Sequence, residues 1–148
     1  MNQTGLVNKA GELMKELEEL LLVSRGARRD EAKAKLAIEH AKTDMEQLQA
    51  RLYVSLSKDE SIEWQSPNPV LDPDGNMMVE FEAQWRTMVM NTLIQENEEF
   101  VSLSATLDIA QKKNYDAQHE SLAAMTEIGV KKAELRTIAA LLEVAGES

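Results

Sequence analysis

Steps of four and three residues from Leu6 visit Ala10, Leu13, Leu17, Leu20, Ser24, Ala27, Glu31, Ala34, Ile38, Ala41, Met45, Leu48, Leu52 and Ser55, and twelve of those fifteen positions are apolar. A spacing that averages 3.5 residues keeps one stripe of a helix facing one partner, as in a coiled coil. Only "SRGARRDE" interrupts the stripe, and Gly26 within it costs about 1 kcal/mol against Ala. Because the stripe keeps its phase across this segment, the pattern predicts one helix over 6–60. A second stripe runs through Val79, Glu82, Arg86, Val89, Leu93, Glu96, Phe100, Leu103, Leu107 and Ala110, then on to Ala145, with fourteen of twenty positions apolar. It predicts a helix over 78–129, with residues 130–148 as a helical extension that either continues it or folds back at Gly129.

Between the stripes, "SPNPVLDPDGN" holds all three prolines of the 148-residue chain. The EF-hand calcium loop needs a glycine sixth and a glutamate twelfth. Counted from Asp72 those places hold Met77 and Ala83, so the calcium reading fails. Asp-Gly followed by Asn is instead the chemistry of a tight turn. Residues 61–77 are therefore expected to turn the chain. The alternation in "SIEW" and "MVEF" leaves room for a small β-hairpin there. The fold class is all-α: a long antiparallel helical hairpin of coiled-coil type, with a short Pro-rich tip and a tendency to oligomerise.

Folding the chain at residues 68–69 sets Ala34 against Leu103, Leu20 against Ala117, Leu13 against Ala124 and Met45 against Leu93, so large side chains repeatedly meet small ones. Under this register residues beyond about 131 overhang. Leu135, Ile138, Leu141 and Leu142, with Leu21 and Leu22 on helix one, then form apolar surface that a second subunit should cover. These six are the self-association candidates.

Composition narrows the chemistry. Aromatics are 4% of the chain, which suits a narrow seam better than a wide core. Cysteine is absent and there are two histidines. Disulfides, thiol chemistry and a structural zinc site therefore drop out. Asp116 and His119 share a helical face, and the 68–69 fold would set Glu18 and Glu19 opposite, a partial carboxylate–histidine metal site; a solvated histidine is the simpler account. No phosphate loop, nucleophile elbow or enclosed acid–base pair is present. No cofactor, metal, membrane segment or small-molecule substrate is expected, and the chain is read as a non-enzymatic cytoplasmic protein.

The net charge of −10 argues against general nucleic-acid binding. Its distribution is uneven. Eleven acids against two bases lie between Ser55 and Asp108. The segment 25–35 is basic, and Arg25, Arg28, Arg29, Lys33 and Lys35 are the candidates for weak phosphate contact. Trp64, Phe81 and Trp85 gather near the acidic end, so with Glu96, Glu98 and Glu99 they are the candidates for binding a protein partner.

The plan of long helix, short hairpin and long helix resembles a prefoldin subunit, but the strands here are shorter and the Pro-rich turn differs. "ELEELLLVSRGARRDEAKAKLAIEHAKTDMEQLQARL" and "LDIAQKKNYDAQHESLAAMTEIGVKKAELRTIAALLE", joined by a polar tip, are similar to small helical hairpin accessory proteins encoded by phages and prophages. That resemblance implies an assembly or adaptor role in the host cytoplasm. A decoy whose acidic end occupies the basic surface of a nucleic-acid-binding protein is the alternative.

Overall fold

The computed structural model describes residues 2–147 and is all-helical, with three helices: α1 (Gln3–Ser57), α2 (Val79–Glu96) and α3 (Glu98–Glu147). Met1 and Ser148, the ends of the expected single domain, lie outside the described residues. Asn2 caps α1, its Oδ1 accepting the Gly5 N–H at 2.7 Å, one of the donors that a helix start leaves unpaired. Gly26 does not break the helix. At the far end the Ser57 hydroxyl donates back to the Val54 carbonyl at 2.9 Å. Asp59 then accepts from the Ser61 N–H and hydroxyl, at 2.9 and 2.6 Å, in a local turn that competes with further helix.

Asn97 divides what the pattern reads as one helix. Its backbone is extended (φ −63°, ψ 129°). Its N–H closes α2 on the Ile94 carbonyl at 3.1 Å, while its side chain accepts the Phe100 N–H at 3.1 Å and so opens α3. Glu98 and Glu99 follow in the first turn of α3, where the helix dipole favours acids. The break shifts the phase of α2, whose buried residues are Met90 and Ile94, one step from the expected Val89 and Leu93. From Glu98 onward the helix is continuous, and no fold-back occurs at Gly129.

The chain forms two compact units, Met1–Leu36 with Ala110–Ser148, and Ala37–Ile109. In the first, α1 and α3 pack antiparallel. Leu6, Leu13 and Ile138 are buried together, with Ala10, Leu135 and Leu142 packed against them. Farther along lie small residues, Ser24, Ala27 and Ala34 on α1 and Ala110, Ala117, Ser121 and Ala124 on α3, all buried.

The pairing corrects the expected register. Glu16 meets Lys131 and Glu31 meets Gln118, so facing numbers sum to 147 and 149, not 137 or 138. A seam that repeats every 3.5 residues looks the same after a slide of about 10.5 residues, so periodicity alone does not choose between the two. The position of the turn does. In the real register Leu13 packs in the cluster of Ile138, not against Ala124, and the C-terminal stripe has a partner in its own chain.

In the second unit, Ala41, Leu48, Met90 and Ile94 are buried. The turn is centred on Asp72. Its carbonyl accepts the Gly75 N–H at 3.0 Å, and its carboxylate accepts the N–H groups of Asp74 and Asn76 at 3.0 and 2.9 Å. Pro73 follows Asp72 in the place a type I turn favours, and Gly75 takes the left-handed conformation (φ +86°). The two short strands for which "SIEW" and "MVEF" left room do not form among the described residues. Val79 to Glu82 open α2 instead, and one antiparallel bridge, Leu71 with Met77, flanks the turn.

Candidate functional site

The tip aromatics are placed by α2. Phe81, Trp85 and Met88 recur at steps of four and three, so they share one face of the helix. Together with Ser66, Asn68, Val70, Glu82 and Gln84 they line an open concavity of about 270 Å³. Phe81 is 44% exposed. Glu82 fastens the loop to the helix by accepting the Ser66 N–H on Oε2 at 3.2 Å. Its other oxygen and the Trp85 indole N–H are buried with no hydrogen-bond partner. An unmet buried polar atom costs roughly 1–3 kcal/mol, so this corner of the concavity has both an unmet donor and an unmet acceptor. Trp64 stands apart from it, under the Arg86 guanidinium at 4.8 Å in a cation–π contact. The sequence reading joined Trp64 to the other two and missed Glu82, Met88 and Arg86. The helical spacing of 81, 85 and 88 was the signal for Met88.

The acidic candidates separate by their place on the helices. Glu98 and Glu99 begin α3 and Glu96 ends α2. Glu99 reaches Arg51 at 3.8 Å with both side chains largely exposed, a contact too open to neutralise the charge.

On α1, Arg25, Arg28, Arg29, Lys33 and Lys35 are all exposed. Lys35 is held by Glu31 at 2.8 Å, one turn back. That pairing is the first cause of the lowered pKa of Glu31, and a hydrogen bond from Gln118 adds to it. Arg28 lies 4.0 Å from the Met125 sulfur. The register brings the turn of α3 around Gln118 to this band. It also takes Glu18 and Glu19 away from the face of Asp116 and His119, since Glu31 is the residue that meets Gln118; Tyr115 packs against His119 with ring centres 4.4 Å apart and planes tilted by 55°. Among the described residues no group of three or more His, Cys, Asp or Glu is placed to hold a metal, and no helix is long and apolar enough to cross a membrane.

The self-association candidates divide sharply. Ile138 is buried, and Leu135 and Leu142 pack on it within the chain. Leu21, Leu22 and Leu141 remain exposed, at 42%, 66% and 50%. Val23, which widens the same apolar face of helix one, is 42% exposed. Comparison with protein-family models, curated proteins and solved structures finds no match to this chain.

Proposed function

We propose that the chain is a non-enzymatic, self-associating helical hairpin of coiled-coil type that serves as an assembly or adaptor module. Its helices carry self-association, and the tip that holds Trp64, Phe81 and Trp85 is the surface for a protein partner. The observation that carries this reading is the exposed apolar run Leu21–Leu22–Val23 on a helix that already packs on α3 through Leu6 and Leu13. The seam inside the chain is built largely of small side chains, and among the described residues Leu13 is the largest that is fully buried. Exposed leucines repeated along α1 and α3, Leu22, Leu36, Leu122 and Leu141 among them, favour assembly. The role fits the phage-type hairpin accessory proteins that the chain resembles.

The test is mass by light scattering over a wide concentration range. A multiple of 16.6 kDa at the upper end supports the reading, and a monomer throughout refutes it.

The exposed, weakly paired Glu99 beside Glu98 favours a second reading, an acidic decoy for a basic protein surface. Partner binding that weakens steeply with salt and is lost when Glu96, Glu98 and Glu99 become Gln supports the decoy. Salt-insensitive binding that is lost in Trp85→Ala supports the adaptor.

A further inference from the structure

The exposed run on α1 sits between two segments of opposite charge. Residues 12–19 carry Glu12, Glu16, Glu18 and Glu19 against Lys15, a net −3; residues 25–35 carry five bases against Asp30 and Glu31, a net +3. Glu16 is occupied by Lys131, and Lys35 by Glu31. The remaining charged residues of both segments are exposed. Glu18, Leu22, Arg25 and Arg29 follow one another at steps of three and four, so they share a face. That face lies opposite the buried seam positions Ser24 and Ala27.

A two-fold interface brings a patch against itself, so the patch must be self-complementary. Acid, apolar centre and base in that order meet the condition only when the helices run antiparallel. A parallel arrangement sets Glu18 on Glu18 and Arg25 on Arg25. Resting on the self-association proposed above, we infer that a second copy of this chain docks antiparallel on the outer face of α1, with Leu22 at the two-fold axis. Glu18 and Glu19 then lie beside Arg25 and Gly26 of the partner subunit. A Cβ added at Gly26 would meet no atom within 4 Å in its own chain, so the fold itself does not require the glycine. A helix crossing there would use the space it leaves. Lys15 in the acidic segment, and Asp30 and the Lys35-paired Glu31 in the basic one, run against the pattern.

The absence of cysteine makes the orientation directly testable by disulfide cross-linking of single-cysteine variants, each checked for unchanged helicity and light-scattering mass. Leu22→Cys is expected to cross-link to itself. Glu18→Cys is expected to cross-link to Arg25→Cys chains in a mixture and not to itself. Efficient self-linking of Glu18→Cys would overturn the antiparallel arrangement. A dimer that persists while Leu22→Cys fails to link would place the interface on another face, overturning this inference and leaving self-association intact. A monomer at every concentration would overturn both. In a charge-reversal series, Glu18→Lys with Glu19→Lys should abolish dimerisation alone, and mixing with Arg25→Glu chains should restore it. A parallel dimer would be unaffected by the first change.

Discussion

Lys131 Nζ lies 2.8 Å from Glu16 Oε2, and this ion pair marks where α3 lies along α1. The contact with Lys131 is the first cause that lowers the Glu16 pKa, and the same contact raises that of Lys131. Glu16 therefore contributes stability that is present above the ordinary glutamate range and lost as pH falls through its depressed folded value. Lys131 contributes stability that is present below its ordinary value and lost as pH rises through its raised one. The pair stabilises at neutral pH and fails at both extremes. In Glu16→Lys or Lys131→Glu the melting temperature should fall slightly, and the double exchange should recover part of the loss. Additive losses in that thermal double-mutant cycle would mean the two residues do not meet.

Leu13 and Leu22 are nine positions apart on one helix and should behave oppositely. Leu13→Ala removes the fully buried side chain and should cost about 3 kcal/mol in urea unfolding. Leu22→Ala, at a site 66% exposed, should change the stability of the dissociated chain by no more than about 0.5 kcal/mol, while weakening self-association.

Gly75 adopts φ +86°, a conformation in which an L side chain costs roughly 1–2 kcal/mol. Gly75→Ala should destabilise by about that amount in thermal unfolding. Asp72→Ala should do so as well, because it removes the carboxylate that two backbone N–H groups share. If Gly75→Ala were neutral, the turn would lie elsewhere, and the register with it.

Asn97→Ala removes the acceptor for the Phe100 N–H and should cost about 1 kcal/mol. Asn97→Ser, which keeps an N-cap oxygen, should recover most of it. Circular dichroism during thermal unfolding reads both.

The seam was legible residue by residue. Of the α1 positions picked by spacing, only Ser55 is exposed, and every picked position from Phe100 to Ala145 is buried or half-buried. Register was not legible from the seam, because a heptad pattern repeats along the helix and the Pro-rich stretch offered more than one place to turn. Gly75 held the answer, since half of a sum near 148 falls beside it. The phase error in α2 has a local cause: Asn97 followed by Glu98 and Glu99 is a helix start, and the stripe was carried through it. At the tip, Phe81 and Trp85 were legible as aromatics near one another. The partnerless atoms of Glu82 and Trp85 depend on how the loop from Ser66 to Val70 lies on α2, which no spacing rule gives.

The central claim is the register, because it covers the C-terminal stripe and leaves the outer face of α1 as the remaining apolar surface of that helix. Spin labels on cysteines introduced at Glu12 and Arg136, and separately at Glu12 and Met125, measure it directly by double electron–electron resonance. Labelled chains diluted into unlabelled ones remove distances between subunits. The two registers differ by a slide of about 16 Å along the helices. The account predicts that the 12–136 distance is the shorter one. A shorter 12–125 distance would contradict it.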